Sequence, residues 1–173
     1  MHTSHVTVVP YDVRWPAEFE KACRALALAL GGSALSIEHV GSTAVPGLWA
    51  KPILDIDVVI PSMNNFSTVC RKLEVAGYRH EGDLGIPGRE AFCYDEMQKP
   101  HLLLHHLYVC PQDSPELQRH ILFREYLRAH PRDVKIYSAV KREGARRFPY
   151  DINAYLAYKT DCIETIYKKC GLL

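Results

Sequence analysis

This sequence has no long apolar run, no excess of charge of one sign and no paired-cysteine motif. Its most apolar stretch, Ala25 to Leu30, falls far short of the ~20 residues that a bilayer-spanning helix needs. Lysine plus arginine number 21 and aspartate plus glutamate 20, a formal charge of +1, so nothing in the global charge points to nucleic acid or to an anionic membrane. The N-terminal MHTSHVTVVPYD lacks the basic-then-apolar order of a secretory signal. The six cysteines, Cys23, Cys70, Cys93, Cys110, Cys162 and Cys170, form no CxxC pair and mostly fall at apolar-periodic positions. With no signal segment, the expectation is six reduced thiols, none binding zinc, in a cytoplasmic protein. Internal repeats, low-complexity linkers and the basic-aromatic pattern of an RNA-binding module are also lacking.

The chain has 173 residues, 47% of them hydrophobic and 24% charged, which is ordinary globular composition and suits one domain spanning residues 1–173. A chain of this size buries roughly 70% of its unfolded surface and needs no staples. Apolar spacing predicts a helix over Pro16–Leu30, ended by Gly31-Gly32, and a second over Phe66–Ala76, ended by Gly77. Strands are predicted at Leu35–Val40, Ile53–Ile60, Tyr78–Glu81, Glu90–Tyr94 and Leu103–Cys110. Ser114-Pro115 opens a helix to about His130, Pro131 opens another, and Asp151 caps a third whose buried side is Ile152, Tyr155, Leu156, Ile163, Ile166 and Tyr167. The order predicts an α+β fold: a mixed sheet flanked by helices, with a helical C-terminal half.

The strand ILDIDVVI carries the most chemical information. Residues two apart share a strand face, so Leu54, Ile56, Val58 and Ile60 face the core while Asp55 and Asp57 stand together on the other side. Two carboxylates so close repel, and a divalent cation relieves that; Mg²⁺ takes one or two protein carboxylates plus phosphate oxygens. The bland alternative is that each aspartate pairs with a lysine or arginine. Upstream, Gly41-Ser42-Thr43 is a turn whose backbone N–H groups and hydroxyl can approach a phosphate, though alone it is no more than a turn. Lys51 stands at the mouth of the aspartate strand. Arg124 and Arg128 are four apart and share one face of a helix, with Arg119, Lys135, Lys141 and Arg142 nearby and Arg89 after the glycine-rich loop. Such charges are ordinarily a solvated face. His39 reads as a hydrogen-bonded residue holding the turn, and Glu38 on the opposite face as a brace. His101, His105 and His106 cannot all converge from one strand.

A strand, Gly-Ser, a short connection and a strand bearing Asp-x-Asp resemble the nucleotidyltransferase superfamily of DNA polymerase β. The quoted segments IEHVGSTAVPGLWAKPILDIDVVI, LEVAGYRH, HHLYV, HILFREYLRAHP and YLAYKTDCIE extend the likeness over nearly the whole chain, and on them the sequence is identified as a member of the GrpB (glutamate-rich protein B) family. The resemblance implies a nucleotidyltransferase-like, polymerase β-like fold. It implies Mg²⁺ held by Asp55 and Asp57, and a nucleoside triphosphate held by Gly41, Ser42, Thr43 and Lys51, with Arg124 and Arg128 as further phosphate candidates. The superfamily's third carboxylate has no obvious counterpart; Glu90 and His106 are candidates for its place, with Asp95 beside Glu90. The chain reads His106-Leu107-Tyr108-Val109 where many relatives read His-Leu-His-Val. The expected activity is transfer of a nucleotidyl group from a nucleoside triphosphate to an acceptor. The alternative is a non-catalytic nucleotide-binding or folding-assistance module, since some relatives are fused to dephospho-coenzyme A kinase; a metal-assisted phosphohydrolase is a third option.

Overall fold

The computed structural model describes residues 5–173. Helix α1 (Trp15–Leu30) leads to strand β1 (Ser36–Val40), and a single 3-10 turn at Ser42–Ala44 precedes β2 (Leu54–Ile60). Helix α2 (Phe66–Val75) connects to β3 (Tyr78–Gly82), β4 (Glu90–Tyr94) and β5 (His105–Pro111). Three helices close the chain: α3 (Pro115–Ala129), α4 (Pro131–Arg147) and α5 (Ile152–Lys169). Every predicted strand and helix is present, with ends displaced by one or two residues.

The strands form one mixed sheet in the order β1-β2-β5-β4-β3. Only β2 and β5 run parallel; the α2-β3-β4 excursion is the crossover that such a pairing requires. Leu54, Ile56, Val58 and Ile60 are fully buried against Trp15, Leu26 and Leu30 of α1 and Val69 and Leu73 of α2. Each contributes roughly 1.5–3 kcal/mol. This row pins β2 and fixes its register, so the odd-numbered side chains, Asp55 and Asp57 included, have nowhere to go but the opposite face. That face is only partly covered: Leu117 of α3 packs on Val59 and Cys110, while α3, α4 and α5 build a separate small core around Val45, Leu48, Leu127, Val134, Tyr137 and Ile166. The second core therefore includes the loop after Ser42, which ties the helical half to the start of the aspartate strand. Leu156 departs from the expected buried side of α5 and is 47% exposed, because α5 packs through Tyr155 and Ile166 instead.

Candidate functional site

The parallel pairing of β2 with β5 sets Asp55 beside His106 and Asp57 beside Tyr108. His106 Nδ1 donates to Asp55 Oδ1 at 2.9 Å. Asp57 is fully buried, and its Oδ2 accepts from Nδ1 of His120, on α3, at 2.7 Å; the other ring nitrogen of His120 lies 3.3 Å from Glu116. The aspartates thus share one face and are partnered by histidines, not by lysine or arginine. Burial raises the Asp55 carboxyl, but the hydrogen bond from His106 and the nearby charges of His106, His120 and Lys51 outweigh it and leave its pKa below the ordinary value. For Asp57 burial prevails over the His120 hydrogen bond, and the pKa is raised. Burial lowers His120, but Asp57 and Glu116 more than compensate and its pKa rises. Asp57 Oδ1 is buried with no hydrogen-bond partner among the described residues.

That orphaned oxygen is the test of whether the pair suits a cation. It is a desolvated carboxylate oxygen that no described residue satisfies. No group of three or more His, Cys, Asp or Glu residues among those described converges to hold a metal ion alone. The donor set therefore fits Mg²⁺ with two protein carboxylates and its remaining positions filled by phosphate oxygens and water, and fits zinc poorly.

Next to Asp55 lies a cavity of about 230 Å³ lined by Ser42, Lys51, His106, Lys141, Tyr155 and Lys159. Lys141 projects from α4, is 3% exposed and donates from Nζ to Ser42 Oγ. Burial, helped by the charges of Lys159 and Lys51, holds its amine well below the ordinary lysine range. Burial and Lys51 likewise lower Lys159, on α5, to about 8. The Tyr155 hydroxyl is buried there without a hydrogen-bond partner among the described residues. Three amines facing a single carboxylate, with an unpartnered hydroxyl, make a site shaped for a polyanion.

The other predicted residues fall in two groups. Ser42 stands at the cavity, and Gly41 (φ +68) lies so close over Asp55 that a Cβ would be 2.9 Å from the Asp55 Cβ and collide with its carboxylate. Thr43 is turned inward: its Oγ1 and His39 Nε2 are hydrogen-bonded at 3.0 Å, with the His39 ring stacked on Phe19. His39 is the expected turn-holder, and burial lowers it to about 4. Arg124 and Arg128 do not join the cavity. Arg124 bonds Glu38 Oε2 (3.1 Å) and the His39 carbonyl (2.8 Å), and Arg128 bonds the Ala44 carbonyl (3.0 Å), so both brace the loop from outside. Glu90 pairs with Val109 in the ladder, which turns its side chain to the α1-α2 face, and His80 Nε2 is 2.6 Å from its carboxylate. It is on the wrong side of the sheet for the third position, and Asp95 caps the turn after β4. Of the two candidates only His106 meets the aspartates. His105 is buried on the far face between Tyr78 and Tyr94, and His101 is exposed outside any strand. His120, Lys141 and Lys159 are the site residues that the sequence did not single out for these places.

The family model described as "GrpB protein" matches residues 5–169. The chain belongs to the GrpB family. It is 34% identical to the UPF0157 protein YqkA of Bacillus subtilis over 92% of its own length, and spans 46% of that longer protein. The crystal structure of GrpB from Enterococcus faecalis superposes with a TM-score of 0.82 at 32% identity, covering 95% of this chain and 96% of that one. The Cid1 poly(U) polymerase, in a MgGTP-bound structure, aligns with a TM-score of 0.57 at 14% identity over 81% of this chain and 45% of that one, which is a likeness of fold. The fold of this GrpB chain is nucleotidyltransferase-like.

Proposed function

We propose that this GrpB chain is a Mg²⁺-dependent nucleotidyltransferase that uses a nucleoside triphosphate and a small acceptor, working as one domain in the cytoplasm. The observation that carries the proposal is that Asp55, one of the aspartate pair, lines the lysine cavity, since a carboxylate pair whose one member borders three amines is a charge pattern suited to a metal-polyphosphate ligand. The MgGTP-bound Cid1 neighbour supports it by analogy of fold. The free thiols of all six cysteines are in keeping with a reducing compartment.

Asp55 and Asp57 would hold the Mg²⁺, which when bound neutralises phosphate charge and draws electron density from the phosphorus that is attacked. The protein's own contribution is position and electrostatics. The Gly41 backbone and Ser42 hold the outer phosphates. Lys51 and Lys159 set positive charge at the cavity wall. Lys141, strained by burial in the free protein, gains the counter-charge it lacks when phosphate arrives. His106 and His120 fix the orientation of the two carboxylates. Arg124 and Arg128 keep the loop in register from behind, a positioning role.

The test is the double variant Asp55→Asn/Asp57→Asn, assayed with Mg²⁺ and each common nucleoside triphosphate by thermal shift, and by pyrophosphate release. The wild type is expected to gain stability with Mg²⁺-nucleotide and the variant to lose that gain, while its own melting temperature roughly holds, because the unfavourable buried charge of Asp57 goes together with the favourable pairing of Asp55 with His106. Equal nucleotide affinity in both proteins, together with a clear loss of stability in the variant, refutes the site. Binding without turnover across acceptors leaves a nucleotide-binding module.

A further inference from the structure

A second hollow of about 370 Å³ lies on the aspartate side of the sheet, over β5, β4 and β3. The register shows how it arises. Tyr108, beside Asp57, pairs with Ala91, and Cys93 pairs with Arg79, so this row continues the aspartate face across to the sheet edge. Ala91 is small and leaves the space open. The register slips between His80 and Gly82, and Glu81 at that irregularity lines the hollow beside Arg79, its neighbour on the same face; bulges of this kind re-aim side chains near active sites. Glu96 closes the rim.

His106 lines both this hollow and the lysine cavity, so the two meet at the Asp55 partner. Their charges are opposed. The cavity holds Lys51, Lys141 and Lys159 against Asp55. The hollow holds Glu81 and Glu96 against Arg79, and none of the three is in a salt bridge with another described residue. A polyphosphate is drawn to the first and repelled from the second; a cationic molecule sorts the other way. The two carboxylates also disfavour a phosphodiester chain, whose binding rests on basic contacts.

We propose that this hollow is the acceptor site and takes a small molecule bearing a protonated amine next to the hydroxyl that is modified. This rests on the nucleotidyltransferase proposal above. The amine sits between Glu81 and Glu96, and the hydroxyl faces the Asp55-His106 junction. The acceptor oxygen forms a bond to the α-phosphorus of the triphosphate, the bond from that phosphorus to the bridging oxygen of the β-phosphate breaks, pyrophosphate leaves with the electron pair, and the hydroxyl proton passes to water.

The experiment uses three sugars of one ring and different charge, glucosamine, glucose and glucuronate, titrated into the ¹⁵N-labelled full chain and read by amide chemical shifts. Glucosamine is expected to move the amides of Ala91, Cys93 and His106, glucose to do so more weakly, and glucuronate not at all. Glu81→Gln/Glu96→Gln, two exposed changes that leave the fold alone, should weaken glucosamine by about three- to tenfold, as loss of two exposed ion pairs implies, and leave Mg²⁺-nucleotide binding unchanged. Glucosamine shifts mapping elsewhere, no shifts at all, glucuronate binding as well as glucosamine, or an oligouridylate occupying these amides overturns the assignment. If the wild type binds no nucleotide yet glucosamine titrates these amides, the hollow stands as an amine site, and the transferase proposal falls together with the acceptor role that rests on it. If nucleotide binds and glucosamine does not, the acceptor site alone falls.

Discussion

Replacing Lys159 with methionine gives a perturbation whose sign depends on which state is measured. Its amine is held at about 8 against an ordinary 10.5, first by burial and then by Lys51. A drop of that size corresponds to roughly 3 kcal/mol set against folding when the lysine is charged. Lys159 is only partly buried, and its cation-π contact with the Tyr155 ring at 4.6 Å is lost on substitution, so the net gain for Lys159→Met falls to about 1–2 kcal/mol. For a chain of this length that is a rise of roughly 2–8 °C in melting temperature. The pH dependence identifies the cause. Between pH 8 and 10.5 the unfolded chain binds a proton at Lys159 that the folded chain does not, so the stability of the wild type from this group rises with pH across that window. The penalty is complete below pH 8 and gone above 10.5. The difference between variant and wild type should therefore be flat from pH 6 to 7.5 and shrink as pH climbs toward 10.5. Taking the difference cancels the tyrosines and cysteines, which titrate in the same alkaline range in both proteins. Inorganic tripolyphosphate should reverse the order: it stabilises the wild type more, and its affinity for the variant falls about tenfold with the loss of a charge-assisted contact. Urea denaturation with and without tripolyphosphate reads both effects. A variant less stable than wild type at pH 7, by an amount that does not change with pH, refutes the placement of a strained amine in this cavity.

Gly41→Ala should destabilise the protein by at least about 1–3 kcal/mol, since a Cβ at φ +68 is strained and collides with the Asp55 carboxylate, and it should weaken Mg²⁺-nucleotide binding through the displaced aspartate; urea denaturation and a nucleotide titration check it, and a neutral result would place the turn away from Asp55. His120→Ala leaves the fully buried Asp57 with neither oxygen bonded to a described residue, which should cost about 3–5 kcal/mol. Because the pKa of His120 is raised in the folded chain, the wild type gains stability as pH falls through the histidine range, so the loss should grow slightly below pH 7 and then shrink in stronger acid as Asp57 is protonated; a loss that does not shrink in strong acid would show that Asp57 was neutral from the start.

How much of this was legible in the sequence follows from the kind of signal each residue carries. The aspartate face was legible because strand periodicity is local: four alternate apolar residues decide where Asp55 and Asp57 point. The strand order and the β2-β5 pairing are not local, so the meeting of Asp55 with His106 stood only as one option beside Glu90, and Glu90 lost its place because its ladder partner, Val109, turns it to the α1-α2 side. Arg124 and Arg128 were read correctly as sharing a helix face, but a shared face does not say what it meets, and here it meets Glu38 and loop carbonyls.

His120, Lys141 and Lys159 came from helices that the sequence places far from the aspartate strand, yet the two lysines left a trace. Lys141 falls on the buried stripe of α4 with Val134, Tyr137, Ser138 and Gly144, and Lys159 is one turn beyond buried Tyr155 on α5. A charged side chain on an apolar stripe breaks the local rule, and such breaks concentrate where function is set against stability. Gly144 completes the logic. A Cβ there would stand 2.9 Å from the Tyr158 ring and 3.2 Å from that of Tyr155, so glycine lets α4 and α5 approach closely at that point. That approach sets Lys141 of one helix and Lys159 of the other around the same small cavity, where the Lys159 charge adds to the burial that lowers Lys141. Helix packing holds together amines that would separate in solution, and the proposed phosphate ligand would supply the negative charge that offsets this cost.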